Sequence, residues 1–312
     1  MDSTAAVRRQ LAALGSDSSH SRATRILLIG NFGNGNTGDE ALLARTLQDL
    51  PDGSDIRVLS RNPRLVEWLH SVPARPMSPL ALLSSLRWCD AVAVVGGGMF
   101  GYGMPPLVGL LPAVVWAAGA SGRDYTYLAI GAYPGMPRAV KWLLRRSTRA
   151  PGRISVRDAL SAQTLGPQVA PPCVGDLAFG LRAAPAEQAW RALSAAGVDR
   201  TQRLLLLSLK ALPDKEKQRM LFAACATAAQ RWRAAGGEVA VLALSTHADY
   251  GIGLAERDTV LAGQLADELG EPLPVLGPQL PPALAKAIVG QAAAVLGLRL
   301  HALIFAVATG VE

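Results

Sequence analysis

Residues 26–43 have the sequence ILLIGNFGNGNTGDEALL. The four apolar residues at 26–29 are typical of a buried strand. Glycines then stand at positions 30, 33, 35 and 38, where the backbone is free to turn sharply or to approach a ligand. Thr37 and Glu40, three residues apart, predict a capping box that opens a helix. A strand, a bare turn and a helix N-terminus together predict an anion- or sugar-binding corner of an α/β sheet.

The rest of the chain alternates short apolar runs with helical patterns. The predicted strands cover residues 26–29, 56–59, 91–95, 125–130, 154–156, 203–209, 238–244, 273–276 and 294–296. Such alternation predicts parallel, doubly wound sheets. We therefore expect two Rossmann-like domains facing a cleft: a mobile tail over residues 1–24, an N-terminal domain over 25–182 and a C-terminal domain over 183–312.

Composition limits the classes of partner. The formal net charge of +7 favours anionic partners, either phosphorylated small molecules or an acidic membrane surface. Aromatic residues make up 5% of the chain and no basic stretch is interleaved with them, so we expect no nucleic-acid partner. Cys89, Cys173 and Cys225 are far apart, which indicates neither a disulfide framework nor a zinc site. We expect no metal and no cofactor.

Two segments bear on localisation. Residues 1–24 lack the apolar core of a signal peptide. Residues 91–122 are uncharged, but glycines and prolines interrupt them, so a buried strand and helix fit better than a membrane span. We expect the protein in the cytoplasm. The basic helix predicted over residues 138–148 is compatible with peripheral contact at the inner face of the cell membrane, although a solvated helix face is the simpler interpretation.

The acidic residues at the start of the first predicted helix indicate which class of ligand this segment could bind. Gly33, Gly35 and Gly38 have the spacing of a dinucleotide fingerprint. Asp39 and Glu40, however, would repel a diphosphate from the positive end of the helix. They suit a hydroxyl-rich ligand, with Asp39 accepting a proton from a sugar hydroxyl. Helix capping alone is the alternative interpretation.

Further candidates stand near predicted strand ends, where α/β sheets bind ligands. Gly96, Gly97 and Gly98 form a predicted loop with either a ligand-facing or a packing role. Arg157 with Asp158 could bind an anion or form a local ion pair, and Asp176 could serve a site or cap a turn. Arg299 could clamp an anion, and His301 could act as acid, base or phosphate donor, or be structural. His247 and Asp249 are weaker candidates on a polar loop.

The ordered set of motifs resembles the polysaccharide pyruvyl transferase family. The matching segments are GNTGDEALL at 35–43, VVGGG at 94–98, ISVRD at 154–158 with Ser161, GDLAF at 175–179 and RLHALIFA at 299–306. They cover most of residues 25–312, and the chain is most similar to the bacterial cell-wall branch of the family.

This resemblance implies a fold similar to the GT-B glycosyltransferases and transfer of pyruvate from phosphoenolpyruvate (PEP) to a sugar, with a ketal formed and phosphate released. It implies that Arg157 and His301 engage PEP and that Asp39 lies near the acceptor, which in that branch is carried on a lipid. Arg299 would add a second cation for PEP. His301 and Asp39, one on each domain, would form an acid–base pair. Gly35, Gly38, Glu40, Gly97, Gly98 and Asp176 complete the predicted binding residues.

Two alternatives remain open at this point. One is a nucleotide-sugar-dependent GT-B glycosyltransferase. The other is an inactive relative, because the resemblance implies a further strand and a PEP-contacting lysine after Gly310, whereas the sequence ends at Glu312. On that ground we expect an incomplete C-terminal domain.

Overall fold

The computed structural model describes residues 3–14, 23–101, 103–104, 106–148, 152–246 and 257–312. His247 and Asp249 lie outside the described residues. The chain divides into two compact units, of which the first comprises Met1–Gly33 and Leu42–Gly180, and the second Asn34–Ala41 and Leu181–Glu312.

The first unit is built on a six-stranded parallel sheet. Its strands are β1 (Arg25–Ile29), β2 (Asp55–Ser60), β3 (Ala74–Pro76), β4 (Ala91–Phe100), β5 (Asp124–Ala132) and β6 (Ile154–Val156). Their order is β3-β2-β1-β4-β5-β6, which is the strand order of the Rossmann fold. The central strands are apolar because helices cover both faces of such a sheet. The order reverses between β1 and β4, and that is where these sheets usually bind ligands.

Helices connect these strands. They are α1 (Ser3–Ala12), α2 (Thr37–Asp49), α3 (Pro63–His70), α4 (Pro79–Trp88), α5 (Pro106–Ala120), α6 (Arg138–Ser147) and α7 (Ala159–Leu165), with a 3-10 turn at Leu177–Gly180. The first turn of α2 belongs by its contacts to the second unit.

The helix α1 corrects the prediction of a mobile tail over residues 1–24 for the part that it spans, Ser3–Ala12. Val7 and Leu11, one helical turn apart, are buried. Arg8 Nε lies 2.9 Å from Asp49 Oδ1, and Gln10 Nε2 donates to the Tyr127 carbonyl at 2.9 Å. Apolar packing on one face of α1 thus holds these residues against the unit.

The triple glycine was predicted as a loop, and this prediction was wrong. Gly96, Gly97 and Gly98 lie within β4, which runs on to Phe100 with a register shift after Gly97. A Cβ on Gly96 would stand 2.3 Å from the carbonyl oxygen of Ala129 in the neighbouring strand β5. No side chain fits there, so Gly96 has the packing role.

The second unit has a four-stranded parallel sheet. Its strands are β7 (Leu204–Ser208), β8 (Glu238–Leu242), β9 (Val275–Leu276) and β10 (Ala294–Gly297), in the order β10-β7-β8-β9. Its helices are α8 (Ala186–Ala195), α9 (Lys215–Ala234), α10 (Asp258–Leu269), α11 (Pro282–Val289) and α12 (Leu300–Thr309). Read from the other side, this order repeats the first four strands of the Rossmann pattern, with the reversal between β7 and β10. Among the described helices, none combines the length and apolarity needed to cross a membrane.

Candidate functional site

In the first unit, the candidates gather around Arg157, which directly follows β6. Its Nη1 lies 3.5 Å from Asp176 Oδ2, and its Nε lies 3.5 Å from Asp158 Oδ2. Its Nη2 donates to the hydroxyl of Tyr133, and that hydroxyl donates to Asp158 Oδ2 at 2.9 Å. The guanidinium therefore has a fixed position, although 18% of the side chain stays exposed.

Both carboxylates in this cluster accept hydrogen bonds from backbone amides. Asp158 caps α7 by accepting from Ser161 N at 2.7 Å, and Asp176 accepts from Ala178 N at 2.9 Å. The hydroxyl oxygen of Ser161 in turn accepts a hydrogen bond from Ala132 N at 2.9 Å. These local bonds arise from short polar side chains at helix and turn starts, which is where such residues are favoured. They orient the carboxylates before any ligand binds.

The electrostatics of the cluster keep Arg157 charged. Burial lowers the pKa of Arg157, but contact with Tyr133 and Asp176 outweighs it, so that this pKa is raised. Burial raises the pKa of the Tyr133 phenol, against the influence of Arg157. Burial also acts to raise the pKa of Asp158, yet the hydrogen bonds from Ser161 and Tyr133 leave it below its usual value. The cluster thus combines a cation, a neutral phenol and an ionised carboxylate.

Bare backbone borders this cluster at the end of β4. Gly98 is exposed, and a Cβ placed on it would stand 3.5 Å from the Tyr133 ring and 4.0 Å from Arg157 Nη2. Asp176 is 6% exposed and also lines a cavity of about 250 Å³ with Arg45 and Asp49. Of the predicted residues, the structure therefore brings together Gly98, Arg157 and Asp176. Gly97, one residue earlier, pairs with Ile130 of β5.

In the second unit, the glycine-rich segment 34–41 pairs with the residues that follow β8. Thr37 N donates to the Leu244 carbonyl at 2.8 Å, and Thr246 N donates to the Gly35 carbonyl at 2.9 Å. Asn36 and Ser245 form an antiparallel bridge. Asp39 was predicted to lie in the N-terminal domain, apart from His301. These backbone bonds instead group residues 34–41 with the unit that contains His301.

His301 lies directly against Gly38. A Cβ on Gly38 would stand 2.0 Å from His301 Nδ1, closer than any real side chain allows. The bare Cα in the first turn of α2 is therefore what gives the imidazole its place in the first turn of α12. Asp39, the next residue, is 8% exposed, and Glu40 is 1% exposed. The start of α2 thus combines Gly38, His301 and two nearly buried carboxylates.

The capping interaction at the start of α2 differs from the predicted one. Asn36, rather than Thr37, supplies the side-chain oxygen: its Oδ1 accepts from Gly38 N at 3.0 Å. Its carbonyl accepts from Glu40 N at 3.2 Å. Asn and Asp are at least as good as Thr in this role, because a short carbonyl arm reaches the first free amides of a helix.

Arg299 forms a buried ion pair with Asp258. Its Nε lies 3.1 Å from both carboxylate oxygens of Asp258, and its Nη2 also donates to Oδ1. Asp258 Oδ2 further accepts from Leu244 N and Ser245 N at 3.0 Å each. Burial raises the pKa of Asp258, while Arg299 and the two amides oppose that rise. The pair joins the segment after β10 to the segment that pairs with residues 35–37.

Sequence reasoning missed two residues of these clusters. Tyr133 stands between the predicted strand 125–130 and the predicted helix 138–148, where no site residue was predicted. Asp258 stands 41 positions from Arg299 at the start of a helix, where an aspartate usually needs no further explanation. A signal existed for Tyr133, which follows the predicted strand 125–130 of a parallel sheet, but none pointed to Asp258. In the described residues, no group of three or more His, Cys, Asp and Glu side chains is placed to hold a metal ion.

Solved structures support the fold. UDP-GlcNAc 2-epimerase from Methanocaldococcus jannaschii is 11% identical, with 93% of this chain and 82% of that chain covered and a TM-score of 0.58. UDP-GlcNAc 2-epimerase from Neisseria meningitidis, bound to UDP-GlcNAc, is 11% identical, with 89% and 78% covered and a TM-score of 0.52. E. coli ADP-heptose LPS heptosyltransferase II is 14% identical, with 92% of this chain and 83% of that chain covered and a TM-score of 0.49.

These likenesses, at such low identity, concern the fold alone. The chain has two Rossmann-like domains with parallel sheets, and it shares its fold with the two epimerases, which confirms the predicted fold class. No curated protein sequence matches the chain with significance. The model of one family, described as polysaccharide pyruvyl transferase, matches residues 36–312 and so includes the two clusters described above. The chain therefore belongs to the polysaccharide pyruvyl transferase family.

Proposed function

We propose that the chain transfers pyruvate from PEP to a sugar of a cell-wall or exo-polysaccharide, forming a pyruvate ketal and releasing phosphate. Family membership supports a transferase that acts on polysaccharide. The observation that carries the PEP assignment is the partly exposed guanidinium of Arg157, held beside the bare backbone of Gly98 at the carboxyl end of the first sheet.

The chemistry of PEP fits this cluster. PEP carries a carboxylate and a phosphate, and a guanidinium can bind either group through two parallel hydrogen bonds. Asp158 and Asp176 each stay 3.5 Å from Arg157, which is longer than a close charge-assisted bond. They therefore orient the guanidinium without closing it off, and Tyr133 supplies a neutral hydroxyl beside it.

An acid and a base are also needed. In the proposed reaction, His301 donates a proton to the methylene carbon of PEP, which leaves an oxocarbenium ion at the neighbouring carbon. A sugar hydroxyl adds there and gives its proton to Asp39. The bond to the phosphate oxygen then breaks, a second hydroxyl adds to the same carbon, and the ketal is complete. One of the two hydroxyl protons replaces the proton that His301 gave to the methylene carbon, and the other leaves with phosphate.

The test combines turnover and binding. The purified chain is incubated with PEP and acceptor glycosides of N-acetylmannosamine, N-acetylglucosamine, galactose or mannose, free and lipid-linked. Phosphate release is followed, and mass spectrometry checks that the acceptor has gained the mass of one pyruvic acid minus one water. We expect Arg157→Ala to weaken PEP binding about 10- to 100-fold, as loss of hydrogen bonds to a charged ligand does.

Arg153→Ala is the matched control. Arg153 precedes β6, at the opposite end of the same strand, and pairs with Asp124 at 3.1 Å. Its loss should leave the PEP dissociation constant unchanged. Equal loss of PEP binding in the two variants would contradict the role of Arg157. Tight binding of a uridine or guanosine diphosphate, with no binding of PEP, would contradict the proposed reaction and favour a nucleotide-sugar glycosyltransferase.

A further inference from the structure

The helix α6 presents two different faces. Val140, Leu144 and Ser147, at spacings of four and three residues, are buried against the first unit. The opposite face carries four basic side chains and one tryptophan: Arg138, Lys141, Trp142, Arg145 and Arg146. The helix contains no acidic residue, so nothing within it offsets this charge.

These basic side chains line a groove. Its volume is about 590 Å³, and its lining comprises the five residues of the outer face together with Gln168 and Val169. Arg145 is anchored there, because its Nε donates to the carbonyl of Leu165. The cations are thus gathered at one concave surface of the first unit.

Two tryptophans accompany the cations. Trp142 is 60% exposed on α6, and Trp116 on the neighbouring helix α5 is 40% exposed. The guanidinium of Arg146 lies 5.8 Å from the centre of the Trp116 ring. An exposed indole is costly in water, whereas at a membrane interface its apolar body and its N–H both find suitable surroundings.

We propose that this face, made by Arg138, Lys141, Trp142, Arg145 and Arg146, docks on an anionic lipid bilayer. Four cations on one helix complement the negative surface of a membrane rich in anionic lipid. The exposed tryptophans supply the shallow anchor that charge alone lacks. Indoles are enriched at the membrane–water interface, whereas the phosphates of a nucleic-acid duplex would be bound by the cations without them. The inference is independent of the proposed reaction.

Vesicle co-sedimentation of the full chain tests it. The vesicles are phosphatidylcholine alone or phosphatidylcholine with about 30% phosphatidylglycerol, a mixture whose surface is negative. The test variant replaces Arg138, Lys141 and Arg146 by Gln, and the control replaces the exposed Lys215, Arg219 and Arg231 of α9 by Gln. Both lose three charges, so net charge is matched.

We expect binding to the anionic vesicles only, weakening as salt rises. The α6 variant should bind at least about tenfold more weakly, since each cation near the surface contributes, while the α9 variant binds like the wild type. Trp142→Ala should reduce binding about threefold or more, because it removes the interfacial indole. Equal losses in the two triple variants, equal binding to uncharged vesicles, or binding to duplex DNA without vesicle binding would overturn the proposal.

Discussion

Arg157 and Arg299 have similar local settings in two units and are held in different ways. Each follows the carboxyl end of a parallel strand and stands at the start of a helix. Arg157 has carboxylate oxygens at 3.5 Å and an 18% exposed side chain. Arg299 is bound at 3.1 Å by both oxygens of a fully buried carboxylate, and its own side chain is 10% exposed.

The difference separates binding from positioning. A guanidinium that is fixed but still accessible can exchange part of its contacts for a ligand. A guanidinium in a buried bidentate pair cannot do so without leaving its partner charge uncompensated. Both arginines were predicted to bind PEP; we now propose that Arg157 binds it and that Arg299 positions the segments around Gly35 and His301. The variants below test this division, from the largest expected effect to the smallest.

Asp258→Ala should have the largest effect. It leaves the Arg299 charge buried without its carboxylate, and removing one partner of a buried pair lowers the free energy of unfolding by about 3–5 kcal/mol. Asp267→Ala, an exposed position on the same helix α10, should change it by less than about 0.5 kcal/mol. Urea denaturation followed by circular dichroism measures both. If the two variants unfold at the same urea concentration, Arg299 has no positioning role.

Gly38→Ala should have an intermediate effect. The new Cβ meets the His301 ring, so the imidazole must move, and overpacking of this kind costs about 1–3 kcal/mol. Gly263→Ala is the control: Gly263 lies within α10 with open space where the Cβ would stand, and the helix should gain about 0.5–1 kcal/mol. Thermal melts give the signs, and the nuclear magnetic resonance signal of the His301 ring should shift in the first variant alone. Stabilisation by both substitutions would contradict the contact.

The pH dependence of stability should be the smallest effect, and its sign should differ between the two clusters. Hydrogen bonds leave the pKa of Asp158 below its usual value despite burial, so its contribution is present above the unfolded pKa and is lost as pH falls through the folded one. Burial raises the pKa of Asp258, so acidification favours its folded form instead.

The unfolding free energy of the wild type relative to Asp158→Asn should therefore shrink between about pH 6 and pH 3, while that relative to Asp258→Asn should grow. Urea titrations across this range measure both differences. Because the Asp158 side chain is 35% exposed, its change should be the weaker one. If both differences in unfolding free energy changed in the same direction as pH falls, the two clusters would not differ electrostatically.

Local patterns were enough to predict the architecture. Apolar runs such as 26–29 and 203–209 gave the strands, and their alternation with helices gave parallel sheets. The helix α1 could also have been predicted, because Val7, Leu11 and Leu14 recur at helical spacing, but the many serines and alanines of residues 1–24 suggested a tail. The candidate site could be predicted only in part, because a motif identifies a residue but not the distant residues that it contacts.

The features that could not be predicted from the sequence depend on contacts between residues that are far apart in the chain. Nothing near Gly96 indicates that the Ala129 carbonyl lies where a side chain would stand, so a loop was predicted in place of a strand. Nothing near Arg299 points to Asp258. Likewise, the antiparallel pairing of Asn36 with Ser245 joins segments more than two hundred residues apart, and no local propensity specifies it.

That pairing has a consequence for how the gene can be divided. The second unit is discontinuous, because it needs the short segment 34–41 as well as residues 181–312. A fragment starting at residue 181 would lack Gly35, whose carbonyl accepts from Thr246 N, and Gly38, against which His301 lies. Recombination that shuffles the two halves between relatives must therefore keep residues 34–41 matched to the C-terminal half, even though they are encoded in the N-terminal one.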